Sequence, residues 1–163
     1  MSVSEHDGRR WRVLIADDDP AVRSGLTDTL GKEFEVVGTA VDGEDAVKVA
    51  AWVQPDAALI DVEMPNGGGL RAVEGIATVS PETAIVILST QESEASVQEL
   101  LGAGAIAYCR KGVSSSLLAR SLRDSIELWR DQSFTEDIEA YSETDYIAWD
   151  APRRPRGAVP ADW

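Results

Sequence analysis

Hydrophobic residues are grouped into short runs along this chain and do not alternate singly with polar residues. Five short apolar runs recur, each bounded by turn residues, and each is continuously apolar or nearly so. Such runs are typical of strands that are covered on both faces, as in a parallel sheet. The pattern therefore predicts five strands, at residues 11–16, 34–40, 56–60, 83–88 and 105–109.

The segments between these runs carry apolar residues at helical spacing. The first segment has Asp19 as a predicted N-cap, with Pro20 at the first helical position, and ends at Gly31. The second is predicted to begin near Asp42 or Gly43. The predicted inner faces of the five helices are Val22, Leu26 and Leu30; Ala46, Val49, Ala50 and Val53; Leu70, Val73 and Ile76; Val97, Leu100 and Leu101, ahead of Gly102; and Leu117, Leu118, Leu122, Ile126 and Trp129.

Strand and helix thus alternate along the chain, which predicts a doubly wound α/β fold. Right-handed crossovers would place helices on both faces of a five-stranded parallel sheet. We expect a flexible leader at residues 1–10, a folded domain at 11–130, and an acidic tail containing aromatic residues at 131–163. In that tail Ser133 and Glu136 could form the capping box of a short helix, and the composition beyond Asp150 favours disorder.

Composition and charge narrow the classes of function. The formal net charge of −14 argues against nonspecific attraction to nucleic acid, because the phosphates would repel this surface. No apolar stretch is long enough for a membrane span or a signal peptide, and the single cysteine, Cys109, fits a reducing compartment. We therefore expect a cytoplasmic protein in which Cys109 is a buried thiol and Trp11, Trp52 and Trp129 are packing residues.

The residues at the ends of the predicted strands carry the candidate chemistry. In an open parallel sheet, ligands bind outside the carboxyl ends of the strands. The side chains directly after each apolar run are therefore the first candidates for a site. The strand ends present Asp17, Asp18 and Asp19; Asp61; Ser89 and Thr90; and Arg110 and Lys111.

These groups fit one kind of chemistry. Carboxylates that converge from different strands repel one another unless a cation lies among them, and oxygen ligands of this kind suit Mg²⁺. A carboxylate such as Asp61 can attack phosphorus to give an acyl phosphate. The transferred group is negatively charged, so it needs the metal and a cation such as Lys111, and the Ser89 hydroxyl can donate to one of its oxygens.

The segments VLIADDDP, LIDVEMP, IVILST and GAIAYCRKG resemble, in order, the signature segments of the CheY-like receiver domains of bacterial two-component response regulators. The resemblance covers about residues 11–130. It implies a flavodoxin-like sheet with strand order 2-1-3-4-5. It also implies that Asp61 is phosphorylated by a histidine kinase or a phosphotransfer protein, in a reaction that depends on Mg²⁺.

The resemblance assigns roles residue by residue. Asp17, Asp18 and Asp61 are expected to hold the metal together with the backbone carbonyl of Glu63. Ser89 and Lys111 are expected to contact the phosphate. Tyr108 matches an aromatic switch that turns inward when Ser89 moves toward the phosphoryl group. The chain departs from the usual pattern at Gly112, where many receivers have proline, and this suggests a more mobile loop.

The leading hypothesis is a non-enzymatic receiver that signals to a downstream protein through its fourth helix, fifth strand and fifth helix, a face on which it could also form a homodimer. Many receivers of this type carry a LuxR-like helix-turn-helix, but the remaining residues are too few and too acidic for one, so we do not expect DNA binding. One alternative is an interaction module that works without phosphorylation. Another is an aspartyl-phosphate phosphatase, although Glu63 stands where that class has a second aspartate.

Overall fold

The chain folds into eight strands and five helices within residues 5–6, 8–90, 93–131 and 146–148, the part that this computed structural model describes. In chain order the elements are β1 Glu5–His6, β2 Arg9–Arg10, β3 Arg12–Ala16, α1 Pro20–Leu30, β4 Glu35–Ala40, α2 Gly43–Val53, β5 Ala57–Asp61, α3 Gly68–Val79, β6 Ala84–Ser89, α4 Glu94–Ala103, β7 Ala107–Arg110, α5 Ser115–Arg130 and β8 Tyr146–Ala148.

One six-stranded sheet organises the domain, with strand order β4-β3-β5-β6-β7-β8. Strands β3 to β7 are parallel, and they are the five predicted strands in the predicted order 2-1-3-4-5. Strand β8 pairs antiparallel with β7, and nothing in the sequence pattern indicated it. The doubly wound α/β fold is confirmed, with one added strand at the edge.

Two further details were not visible in the sequence pattern. Strands β1 and β2 pair with each other antiparallel inside the segment expected to be a flexible leader. Helix α4 does not end at Gly102, the glycine that follows its last apolar position, but continues to Ala103. The cause is backbone conformation, because Gly104 has φ +133, a value that L side chains rarely adopt, whereas Gly102 has no positive φ.

Two hydrophobic clusters cover the two faces of the sheet. Along β3 the side chains alternate between them: Val13 and Ile15 belong to the cluster that includes residues of α5, and Leu14 and Ala16 to the cluster that includes residues of α2, α3 and α4. The continuous apolar runs of the sequence therefore do reflect strands that are buried on both sides. Helices lie on both faces, as predicted.

The amino ends of the parallel strands are fastened by α5. Trp129 donates its indole N–H to the carbonyl of Pro81 at 3.1 Å. The Arg130 guanidinium lies 5.0 Å from the ring centroid of Trp11 and forms an ion pair with Asp56. The carboxylate of Asp56 also accepts a hydrogen bond from the backbone N–H of Arg12 at 2.8 Å. This network holds the last turn of α5 at the end of the sheet opposite to its carboxyl edge.

Burial confirms most of the predicted packing residues. Trp11 and Trp129 are buried, and Cys109 is a buried thiol that forms no disulfide. The prediction for Trp52 is wrong, since its side chain is 89% exposed. Trp52 follows Ala50, a buried residue of α2, by two positions, and two positions correspond to about 200° around a helix. Its side chain therefore points away from the core, into the solvent.

The packing of α2 against α3 leaves no room for a side chain at Gly75. A Cβ atom built there would lie 2.2 Å from Val47 Cγ2. Gly75→Ala is therefore expected to lower the free energy of unfolding by roughly 1–3 kcal/mol, in spite of the better helix propensity of alanine. Gly25 in α1 is the matched control, because a Cβ there meets nothing within 4 Å.

Gly25→Ala is expected to raise the free energy of unfolding by about 0.8–1 kcal/mol. Chemical denaturation of the two variants side by side measures both changes. A Gly75→Ala variant as stable as Gly25→Ala would contradict the tight α2–α3 contact.

Two sequence-based expectations fall where little or nothing is described. The predicted capping box and short helix at residues 133–141 lie outside the described residues, as does the chain beyond Asp150. Across the described part of the chain, no helix combines the length and the apolar character needed to cross a membrane.

Candidate functional site

The carboxyl ends of four neighbouring parallel strands bring the candidate residues to one edge of the sheet. Asp17 directly follows β3, and Asp61 is the last residue of β5. Ser89 is the last residue of β6, and Lys111 directly follows β7. Because parallel strands all end at the same edge, side chains from separate parts of the sequence converge there.

Asp17 is held by three separate hydrogen bonds. Its backbone N–H donates to the carbonyl of Ala40 at 3.1 Å, and its Oδ1 accepts from the N–H of Asp19 at 2.9 Å. Its carbonyl accepts from Arg23 Nη1 at 2.8 Å. Arg23 was not among the predicted site residues, because a lone arginine on a helix gives no signal of its own. These bonds fix the β3 end and leave Asp17 Oδ2 turned toward the other charged groups.

Asp17, Asp18 and Asp61 form an acidic cluster. Each offers a carboxylate oxygen, and these oxygens all lie within 4.8 Å of one another. Asp17 and Asp61 are 0% and 2% exposed, whereas Asp18 is exposed to solvent. The cluster therefore has a buried floor and one open side.

Lys111 joins the two buried carboxylates. Its Nζ lies 3.1 Å from Asp61 Oδ1 and 3.3 Å from Asp17 Oδ2. The backbone N–H of Lys111 donates to the carbonyl of Ser89 at 2.7 Å, and this bond fixes the position of the Lys111 backbone. Burial alone would lower the pKa of Lys111, but the hydrogen bond and ion pairs with Asp61 and Asp17 outweigh it and raise the pKa above its ordinary value. The lysine is therefore a cation at neutral pH.

Asp61 is the most strongly perturbed of these groups. Burial of its side chain, with the neighbouring charge of Asp17, raises the pKa of Asp61 to about 6, against the lowering effect of Lys111 and of the N–H of Glu63. Perturbed carboxylates of this kind are common at functional sites. Without a further cation, Lys111 does not fully compensate the two buried carboxylates.

The cluster fits a hard divalent cation. Asp61 Oδ2 is buried and has no hydrogen-bond partner among the described residues, so an acceptor is left over at the centre of the site. All the cluster's ligand atoms are carboxylate oxygens, which suit Mg²⁺. Glu63 donates its backbone N–H to Asp61 Oδ1 at 3.2 Å, and the role of its carbonyl stays a prediction.

Ser89 and Tyr108 lie on neighbouring strands beside this cluster. Ser89 is fully buried at the end of β6, and Tyr108, on β7, is 7% exposed and packs with the cluster of α2, α3 and α4. In the β6–β7 ladder Ser89 is opposite Arg110, and Tyr108 is opposite Ile87. Their phosphate-contacting and switching roles stay predictions.

The loop after Lys111 explains one departure from the family pattern. Gly112 has φ +91, which glycine tolerates and which proline, fixed near about −65°, does not. The residue at this position is therefore dictated by the local turn. Glycine in place of proline removes no charged or polar side chain from the site.

Family comparison gives a match over most of the folded domain. The family model described as "Response regulator receiver domain" matches residues 13–123. The chain is 35% identical to the response regulator GacA of Pseudomonas aeruginosa over 114 residues, which are 69% of this chain and 53% of that protein. It is 36% identical to the transcriptional regulatory protein PdtaR of Mycobacterium tuberculosis over 123 residues, 74% of this chain and 58% of that protein. The chain thus spans little more than half the length of these relatives.

Solved structures of the same kind resemble the fold. The response regulator domain of Thermotoga maritima CheB is 31% identical, with a TM-score of 0.62, over 74% of this chain and 96% of that one. The Vibrio cholerae chemotaxis protein CheY4 is 29% identical, with a TM-score of 0.66, over 71% of this chain and 98% of that one. Both likenesses cover nearly the whole of the solved chains.

Proposed function

Because this chain belongs to the response regulator receiver domain family, we propose that it accepts a phosphoryl group on Asp61 from a histidine kinase or a phosphotransfer protein. The observation that carries the proposal is the position of Lys111 Nζ, 3.1 Å from Asp61 and 3.3 Å from Asp17. A cation so placed, next to three converging carboxylates, can stabilise charge on a transferred phosphoryl group.

The reaction balances with one bond formed and one broken. A carboxylate oxygen of Asp61 attacks phosphorus, the donor's bond to phosphorus breaks, and the leaving group departs with the bonding electrons, which leaves an acyl phosphate on Asp61. Asp17, Asp18, Asp61 and the Glu63 carbonyl would hold Mg²⁺, which supplies charge neutralisation when bound. Lys111 and the Ser89 hydroxyl bind the phosphoryl oxygens.

The output follows from the added charge. Phosphorylation brings about −1.5 to −2 charges to one point, which draws in Ser89 and Lys111. Movement of Ser89 changes the packing of Tyr108, which is already buried in the unphosphorylated chain, and the face made by α4, β7 and α5 changes with it. That face contacts a downstream protein target or a second copy of the chain. The protein works in the cytoplasm as a non-enzymatic receiver.

One experiment separates this function from its alternatives. The full chain is incubated with acetyl phosphate and Mg²⁺, and its intact mass and the phosphate released are followed in parallel with a sample that contains EDTA. One Mg²⁺-dependent phosphoryl adduct per chain is expected. A chain that never acquires the adduct would be an interaction module that works without phosphorylation, and many turnovers of phosphate release would indicate a phosphatase.

Mg²⁺ affinity is expected to depend on pH through Asp61. The pKa of Asp61 is raised to about 6 in the metal-free chain, and only the ionised carboxylate binds the metal. Binding is therefore full above pH 6 and weakens up to about tenfold per pH unit below it. Titrations followed by the Mg²⁺-induced rise in melting temperature, from pH 5 to pH 8, measure this dependence.

Matched variants localise the metal. Asp18→Asn is expected to weaken Mg²⁺ binding at least about tenfold, because it removes one of the converging carboxylates. Asp28→Asn, an exposed position on α1, makes the same change of charge away from the cluster and should leave binding unchanged. Equal effects of the two substitutions would mean that Mg²⁺ responds only to the net negative charge.

A further inference from the structure

Strand β8 is the feature that the receiver function leaves unexplained. It comes from the segment after α5 and pairs antiparallel with β7, with Ala107 opposite Ala148, Tyr108 opposite Ile147 and Cys109 opposite Tyr146. Without β8, strand β7 would be the last strand of the sheet. An edge strand of this kind presents unpaired N–H and C=O groups that can pair with another chain.

The direction of the backbone groups on β7 follows from its other neighbour. The N–H of Ile106, just before β7, donates to the carbonyl of Ile85 at 2.8 Å, on the side of β6. Because successive residues of a strand direct their N–H and C=O groups to opposite sides, those of Ala107 and Cys109 point to the outer edge. The residues opposite them, Ala148 and Tyr146, therefore form the hydrogen-bonded pairs, and Ile147 lies at a non-hydrogen-bonded position.

This pairing is suited to reversible occupation. Strand β8 has three residues, so the ladder contains only two hydrogen-bonded pairs, and short pairings of this kind open readily. The segment is also covalently tethered to α5 through residues 131–145, which keeps its effective concentration at the edge high. A weak but tethered ladder excludes a free competitor of similar affinity until that competitor is abundant or binds more tightly.

We propose that the outer edge of β7 is a binding surface for an extended polypeptide strand, and that Tyr146–Ala148 is its resident occupant. A partner strand then binds by β-augmentation only after it displaces β8. The occupied strand carries Tyr108 and ends next to Lys111, so the surface adjoins the candidate site. The proposal does not rest on phosphorylation of Asp61, and every experiment below uses the unphosphorylated full chain without metal.

The single natural cysteine allows the register to be tested by cross-linking. Directly opposite residues of an antiparallel pair share a face of the sheet, and in a hydrogen-bonded pair their Cα atoms are about 5.5 Å apart, a distance that a disulfide spans. In Tyr146→Cys, oxidised glutathione is expected to convert the new thiol and Cys109 into an intramolecular disulfide, with release of reduced glutathione and loss of two hydrogens from the intact mass.

Ile147→Cys is the matched control, because position 147 lies opposite Tyr108 and on the other face from Cys109. It should form no intramolecular disulfide under the same conditions. Equal yields in the two variants would mean random collision of the segment with the domain. Disulfide-linked dimers, or an unreacted Tyr146→Cys chain, would equally overturn the assigned pairing.

A pair of proline substitutions tests the edge without relying on the buried thiol. Ala148→Pro removes an N–H from the ladder, whereas Ile147→Pro removes one that points away from β7 and is tolerated at an edge. Amide hydrogen exchange followed by NMR should become at least about tenfold faster at Ala107 and Cys109 in Ala148→Pro. Ile106, bonded to Ile85, should stay unchanged in both variants.

A peptide then tests the surface itself. A synthetic ETDYIAWD peptide, residues 143–150 of this chain, is added to the Ala148→Pro variant and to the unchanged chain. Restored slow exchange at Ala107 and Cys109 in the variant, with no peptide binding to the unchanged chain, is expected. Unaltered exchange in Ala148→Pro, or a variant that the peptide fails to protect, would overturn the proposal.

Discussion

Asp61→Asn is expected to abolish the phosphoryl adduct that the unchanged chain forms with acetyl phosphate and Mg²⁺. The amide has nearly the size of the carboxylate, but it lacks the anionic oxygen that attacks phosphorus, so no acyl phosphate can form. Intact mass spectrometry gives the result directly, as one adduct in the unchanged chain and none in the variant. An adduct that persists in Asp61→Asn would place the modification elsewhere.

The same substitution is expected to stabilise the metal-free protein at neutral pH. Burial and the charge of Asp17 raise the pKa of Asp61 to about 6, so the folded state disfavours its ionised form. This cost to stability is present above pH 6 and disappears as pH falls and the carboxyl takes up a proton. Asp61→Asn should therefore raise the free energy of unfolding by on the order of 1–2 kcal/mol at neutral pH and change it little near pH 4.

Asp19→Asn is the matched control for both effects. Asp19 is the neighbour of the cluster in sequence, but its side chain caps α1 by accepting from the N–H of Ala21 at 2.9 Å. Asparagine caps a helix about as well as aspartate, so the fold should be retained. The control variant should form the adduct at the rate of the unchanged chain.

Lys111→Met is expected to slow phosphorylation by acetyl phosphate by about 10²- to 10³-fold, the effect of removing one preorganised electrostatic group. Methionine preserves much of the aliphatic stem but no charge, so the phosphoryl oxygens lose their partner while the packing remains. Phos-tag gels or mass spectrometry over a time course give the rate. Lys32→Met removes the same charge at an exposed position and should leave the rate unchanged. A Lys111→Met rate equal to that of Lys32→Met would contradict the assigned role.

Lys111→Met should also destabilise the metal-free chain, and the effect should depend on pH. The lysine's raised pKa means that its ion pairs stabilise the fold below about pH 10.5, and this contribution is lost as pH rises through the folded-state pKa. Without the lysine, two buried carboxylates remain, at a cost of roughly 1–3 kcal/mol. The loss of stability should be largest above pH 6 and should shrink below it, as Asp61 takes up a proton.

The fold could be predicted well because its strands are buried on both faces. A strand such as β5, with all five residues buried, must be apolar throughout except at its functional end, so its position is visible in the sequence. Strand β8 gave no such signal, since it has three residues and depends on pairing with a distant edge. The prediction that Trp52 is buried was wrong for a related reason. Aromatic character suggests burial, but the position of a residue on the helix decides whether its side chain is buried.

The sequence predicted which residues converge at the candidate site, but not the individual hydrogen bonds and backbone angles that hold them. Parallel strands end at one edge, so the convergence of Asp17, Asp61 and Lys111 follows from strand order alone. The hydrogen bond from Arg23 to the carbonyl of Asp17 depends on a side-chain conformation that no spacing rule specifies. The +91 φ of Gly112 likewise appears only in the folded loop.

The exposed position of Asp18 leaves the acidic cluster open to solvent on one side, and this affects how long a phosphoryl group would remain on Asp61. A phosphodonor would approach from that side, which is also the side that faces solvent. An acyl phosphate that is not shielded from water is hydrolysed, because nothing keeps the competing nucleophile out. A phosphoryl group on Asp61 would therefore be open to hydrolysis from the side of Asp18, and the duration of the signal would be set by how slowly water attacks there.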